Sequence, residues 1–349
     1  MEANIYSVIF ELMSGLSILS DWKKNNYKLI YWLEGEEDFY IDEIMEYAEK
    51  KILTKPDAEF NLTIYYGKDA NWADVVNSCR RYPMFAERQV VLLKEAQQMK
   101  DLEKLESYME KPLASTLLVI SYKGKTLDGR SRLSKSIKKN GEIFLSKKIY
   151  DNQLPAWTNG FLQSKGFAIT PRALMLLVDH VGNDLNRISN EVEKLSVNLG
   201  NEKNITEDDI EKYIGVSKEY NIFELQHAIS KKDLAKAIKI IQYFDANPKA
   251  APVPLLLPSL YNYFSKIIVL YQMSDKSEKA LKPLFFNNPF LVQQAIDMAL
   301  NYSFSEIEQA ILLLHDYNLK SIGINSYGVS GGSLLKELAY KIIKGATFN

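Results

Sequence analysis

The stretch "YWLEGEEDFYIDEI", Tyr31 to Ile44, ends an apolar run on Gly35. It continues with Phe39, Ile41, Ile44 and Ala48 at helical spacing. A strand, a tight glycine turn and a helix start is where many α/β proteins hold a phosphate on free backbone N–H groups. That chemistry also needs a lysine for the β/γ-phosphates and a hydroxyl for magnesium. Here the turn carries Glu34, Glu36, Glu37 and Asp38, and Phe39-Tyr40 stand where a Gly-Lys pair is expected. Acidic side chains repel phosphate but suit a helix N-terminus electrostatically. The run "LLVIS" is followed by Tyr122 and Lys123, not by the carboxylates that would hold magnesium. The scaffold resembles a nucleotide-binding domain with both halves of the chemistry absent, so no cofactor is expected.

A second stretch, "RYPMFAERQVV" (Arg81–Val91), places Met84 and Phe85 between the breaker Pro83 and the charged pair Glu87-Arg88. Proline at a helix exit is ordinary. Two large apolar residues there have two readings. They plug the end of the core, the commoner fate of such residues, or they protrude into a partner's pocket, since Met and aromatics are favoured interface anchors.

The third stretch runs from Ser121 to Lys148. It holds Lys123, Lys125, Arg130, Arg132, Lys135, Lys138, Lys139, Lys147 and Lys148 against only Asp128 and Glu142, a local excess of seven positive charges. Lys135, Lys138 and Lys139 share one helical face. The patch is either a solvated surface helix or a surface that tracks a phosphate backbone. No aromatic ladder is interleaved, so reading of bases is not indicated. No Ser-His-Asp, Cys-His or paired-carboxylate arrangement occurs. His180, His227 and His315 lack metal-ligand spacing, and Cys79 is the single cysteine, so neither a metal site nor an internal disulfide is expected.

The elements that must carry these stretches change character along the chain. Apolar runs at Tyr27–Leu33, Phe60–Tyr66, Arg88–Lys94, Ser115–Tyr122 and Glu142–Ser146 alternate with helical patterns at Ile41–Leu53, Trp72–Arg80, Leu102–Glu110 and Arg132–Lys139. That alternation predicts a mostly parallel sheet covered on both faces. After Tyr150 only helical patterns follow. Thr170-Pro171 opens one helix, Thr206 and Asp209 stand in capping-box spacing, and the loop Gly323–Ser333 is the most flexible-looking interior segment. The expected division is an α/β domain over 1–149, a small helical domain over 150–217 and a helical domain over 218–349.

With 349 residues, 46% hydrophobic, 25% charged and a net charge of −1, the chain has an ordinary globular composition and no overall basic field. The apolar stretch Val8–Leu19 is interrupted by Glu11, Ser14 and Gly15, lacks a basic start, and does not reach the ~20 apolar residues of a membrane span. A cytoplasmic protein is expected.

Taken in order, "YWLEGEEDFYIDEI", "MFAERQVVLL", "KTLDGRSRLSKSIKKNG", "VGNDLNRISNEVEKL", "ITEDDIEKYIGVSKEYNIFELQHAI" and "LLLPSLYNYFSKIIVLY" resemble the delta subunit of bacterial DNA polymerase III, the clamp-opening subunit of the sliding-clamp loader. The resemblance implies an ATPase-like α/β domain without nucleotide, then a lid-like helical domain and a helical collar. It implies a non-catalytic part of the polymerase holoenzyme, a nucleotidyltransferase complex. The implied partners are the sliding clamp, the ATPase and delta-prime subunits of the loader through the collar, and primer–template DNA. Met84 and Phe85, flanked by Tyr82 and Pro83, match the clamp-gripping pair; family members more often carry Leu at the first position, and Met is of similar volume. Lys123, Lys125, Arg130, Arg132, Lys135, Lys138 and Lys139 are the candidate DNA contacts, on a patch that faces either DNA or solvent, with Tyr327 as the candidate collar contact to the template strand. The alternatives are a delta-prime-like subunit, which usually has a cysteine zinc module, and an ATPase or DNA-binding protein of the AAA+ type.

Overall fold

Five apolar runs become five parallel strands. They are β1 (Ile30–Gly35), β2 (Leu62–Tyr66), β3 (Gln89–Lys94), β4 (Thr116–Lys123) and β5 (Gly141–Ser146), in the sheet order β2-β3-β4-β1-β5. They belong to a computed structural model that describes residues 17–247, 253–286, 288–324 and 328–345. The chain divides into two compact units between Gln153 and Leu154.

In the first unit a helix over residues 17–23, α1, precedes the sheet. The crossovers carry α2 (Asp38–Lys51), α3 (Lys55–Asn61), α4 (Trp72–Cys79), α5 (Glu106–Met109) and α6 (Arg132–Asn140). Successive strand residues face opposite ways. Ile30, Trp32, Val91, Leu93, Leu118 and Ile120 pack with Val75, Val76 and Cys79 of α4 and Leu133 and Ile137 of α6. Their alternates Tyr31, Leu33, Val90, Leu92, Leu117 and Val119 are also buried, and α2 lies against β3 and β4. Burial on both faces is why these strands read as continuous apolar runs.

Two elements differ from expectation. The run Phe60–Tyr66 enters the sheet only at Leu62, because Thr54 caps and Pro56 begins a helix that lasts through Asn61. The segment Leu102–Glu110 starts as a 3₁₀ turn behind Asp101, which is left-handed (φ 56) and makes no cap hydrogen bond, so only one α-turn follows.

The second unit is helical from Leu154 onward, with long helices at Val253–Gln272, Phe304–Ser321 and Gly331–Lys344. The expected caps form: Thr170 accepts from Ala173 N, and Thr206 and Asp209 make a capping box. Among the described residues, a two-residue parallel pair, Ala168–Ile169 with Asn204–Ile205, is a bridge that the sequence pattern did not show. The glycines closing the segment Gly323–Ser333 belong to the last helix. A Cβ on Gly332 would sit 2.1 Å from the Asp245 carboxyl carbon, so glycine lets that carboxylate reach the helix N-terminus. The expected boundary near Ser217 lies within this unit, where Arg172 donates to Lys218 O (3.2 Å) and Glu224 Oε1 (2.6 Å).

Candidate protein-docking site

The glycine turn sits where β1 leaves the sheet at its C-terminal edge. A Cβ on Gly35 (φ +129) would fall 1.9 Å from Ser146 O, so only glycine lets β1 close against β5. The N–H groups that would face a phosphate are already engaged. Gly35 N–H donates to Lys125 O (3.1 Å), and Glu36 and Glu37 N–H donate to Ser146 O (2.9 and 3.3 Å). Glu34 is buried, and its Oε2 accepts from Trp32 Nε1 (2.9 Å) and Leu127 N–H (2.8 Å). Burial raises its carboxyl above the ordinary range, and those two donors oppose the rise. The turn is a stitched joint between β1, β5 and the loop after β4.

The opposite, N-terminal edge of the sheet carries the loop that leads from α4 into β3. Here Tyr82 is 77% exposed, Met84 54% and Phe85 97%, so the pair does not plug the core. The loop is held from both sides. Asn61, 3% exposed at the end of α3, accepts from Met84 N–H (2.7 Å) and donates to Met84 O (2.9 Å). Buried Gln89 sets its Nε2 on Arg81 O (2.6 Å), Thr116 Oγ1 (2.7 Å) and Ser78 O (3.0 Å). The Arg88 guanidinium stacks on the Tyr27 ring at 4.2 Å. Between these anchors Phe85 takes a left-handed backbone, φ 57, which is strained for a bulky residue. An apolar tip on a fixed base, turned into solvent, is suited to entering another protein's pocket.

The basic residues do not gather at one place. Lys123 ends β4, half-buried, with its Nζ 2.6 Å from Asp42 and 3.9 Å from Asp38 of α2. Lys125 and Arg130 lie exposed in the loop after β4, and Arg130 is 4.0 Å from Asp128. Arg132, Lys135, Lys138 and Lys139 line the exposed side of α6, opposite buried Leu133, Ser134 and Ile137. None of those four has an ion-pair partner among the described residues. Tyr327 lies outside the described residues. Sequence reading missed Asn61 and Gln89; Thr54 and Pro56 were the available signal for the helix that delivers Asn61.

Fold and site define a class: a parallel α/β domain followed by helices, with a closed glycine turn at the C-terminal edge of the sheet and an apolar tip at the other. Residues 31–146 match the family model described as DNA polymerase III, delta subunit. The chain is 24% identical over 313 residues to the DNA polymerase III subunit delta of Bacillus subtilis, covering 86% of this chain and 90% of that protein. It is 23% identical over 278 residues to a probable DNA polymerase III subunit delta of Aquifex aeolicus, covering 75% and 77%. The solved structure of the Bacillus subtilis DNA clamp loader delta protein shares the fold, with TM-score 0.55 and 22% identity over 95% of this chain and 99% of that one. The match over residues 31–146 and the two similar delta subunits agree with the resemblance read from the sequence.

Proposed function

We propose that this chain is the non-catalytic subunit of the replicative clamp loader that grips and opens the sliding clamp, with Met84 and Phe85 as the grip and Tyr82 and Pro83 beside them. The carrying observation is the tip itself: Phe85 is 97% exposed on a loop anchored at Met84 and Arg81. A ring in equilibrium between closed and open forms shifts toward the form it binds better. A tip that enters one clamp subunit next to the ring's seam stabilises the open ring by that differential affinity.

The rest of the chain takes its roles from the same reading. The ATPase-like domain (1–149) neither binds nor hydrolyses nucleotide, because its cradle donors are spent on Ser146 and Lys125 carbonyls. The small helical domain (150–217) joins it to a collar (218–349). Collar helices carry exposed Leu300, Leu312 and Tyr340, apolar surface for assembly with the ATPase and delta-prime subunits. The exposed face of α6 follows primer–template DNA by its backbone inside the assembled loader. Among the described residues no helix is long and apolar enough to cross a membrane, and the reading places the protein in the cytoplasm. Co-elution of the full chain with the organism's purified sliding clamp tests the proposal. A complex is expected without nucleotide, and its absence at micromolar concentrations would overturn the assignment.

A further inference from the structure

Phe85 needs more than exposure to serve as an anchor. A bulky residue in the left-handed region (φ 57) leaves it unless its neighbours hold it there. The chain supplies a holder from a distant segment. Asn61 lies 23 residues before Met84, is almost wholly buried, and takes both backbone hydrogen bonds of Met84, N–H at 2.7 Å and O at 2.9 Å. Its Nδ2 also donates to Asp57 O (3.0 Å) within its own helix, which fixes the side chain before the loop arrives. An amide matches this task. It offers a donor and an acceptor side by side, as a peptide group does, and so extends the loop backbone as a neighbouring strand would. Aspartate lacks the donor, serine lacks the reach, and alanine lacks both.

We infer that Asn61 is a positioning residue for clamp binding: by pairing with both backbone groups of Met84 it holds the Phe85 tip in its docking conformation before the partner arrives. This rests on the reading of Met84 and Phe85 as the grip. Asn61 itself touches no partner, being buried beneath the loop, and it acts through the fraction of molecules whose tip is formed. Apparent affinity falls by that fraction, so a tip formed one-tenth of the time binds about tenfold more weakly. Met84 still has its side chain in every Asn61 variant, which separates loss of shape from loss of apolar contact.

The experiment is a double-mutant cycle on the full chain, with the purified sliding clamp as the probe. Affinity is read by calorimetry, and folding is followed by circular dichroism and thermal unfolding. Asn61→Ala is expected to weaken clamp binding about tenfold while Phe85 is present, and by less than about twofold in a Phe85→Ala background. Asn61→Asp keeps the acceptor for Met84 N–H but loses the donor, and is expected to fall between wild type and Asn61→Ala. It carries the test if the alanine variant fails to fold. Equal losses in both Phe85 backgrounds would make Asn61 a general stability residue and overturn the inference. So would wild-type affinity in both Asn61 variants while Phe85→Ala binds weakly. If Phe85→Ala itself binds at wild-type strength, the grip reading fails first and the inference falls with it.

Discussion

Replacing Phe85 by alanine separates packing from docking, because the two roles move different observables. A phenylalanine in the core, such as the fully buried Phe264, leaves a cavity on truncation and costs about 3–5 kcal/mol of stability. Phe85 is 97% exposed, so its ring contributes almost no burial to the free chain, and Phe85→Ala should change stability by less than ~0.5 kcal/mol. Binding behaves oppositely. Taking an exposed Phe ring into a pocket removes roughly 150–200 Å² of apolar surface, about 4–5 kcal/mol gross. Ordering and desolvation costs leave ~2–4 kcal/mol for a central aromatic anchor, a loss of roughly 30- to 1000-fold on truncation. Calorimetry against the sliding clamp and a thermal melt of the same samples read both numbers. Met84→Ser with Phe85→Ser should abolish detectable clamp binding, leave the melt nearly unchanged and leave assembly with the other loader subunits intact. A folded double variant that binds the clamp at wild-type strength would remove this tip from the mechanism.

Three further expectations can be checked independently. Mg-ATP titrated into the isolated chain should give no saturable heat at millimolar nucleotide, and one-to-one binding would mean that the stitched turn opens. Glu34 is held above its ordinary carboxyl range by burial, so the folded chain protonates it more readily than the unfolded chain; its contribution to stability falls as pH rises through that raised value. Glu34→Gln, which keeps an acceptor for Trp32 and Leu127, should therefore raise the melting temperature at neutral pH, with the gain shrinking toward pH 4 in a pH series of melts. Lys135→Glu with Lys139→Glu should weaken primer–template binding by the assembled loader and flatten the slope of log K against log salt by about 2, leaving clamp binding unchanged; an unaltered slope would free α6 from any DNA role.

The middle of the sheet was legible because β1, β3 and β4 are buried on both faces, so "RQVVLLK" and "STLLVISY" announce themselves without alternation. Strand order was not legible: β1 lies between β4 and β5 through crossovers, and the pattern of apolar residues is the same for any order. Phe60 and Asn61, the last turn of the helix Lys55–Asn61, read as the start of a strand because Phe60 is aromatic and strand-like, yet Phe60 is 65% exposed, and the cap signals at Thr54 and Pro56 decided the local structure. The tip was visible as an oddity, two apolar residues between a breaker and charges. Whether it turned inward or outward depended on Asn61 and Gln89. Their hydrogen bonds join segments 23 and 27 residues apart, beyond the reach of any local pattern.

Gly35 is a glycine that the sheet itself requires. A glycine at the end of β1 is required whether or not a phosphate binds, because any Cβ there would strike Ser146 O at 1.9 Å and separate β1 from β5. The acidic residues around it repel phosphate, but they meet other needs. Glu34 ties the loop after β4 to β1 through Leu127, and Glu37 caps α2 by accepting from Phe39 N–H. Asp38 and Asp42 at the start of α2 hold Lys123 at the end of β4. Glu34, Asp38 and Asp42 thus add bonds across the C-terminal edge of the sheet. The C-terminal edge is thereby braced, and the same parallel strands run to the N-terminal edge, where the Phe85 tip is mounted. A partner that pulls on Phe85 pulls on β3, the second strand of a five-stranded sheet, and not on a free loop. For a subunit proposed to strain a closed ring open, a stiff mount is a mechanical requirement, since a compliant one would yield before the ring did.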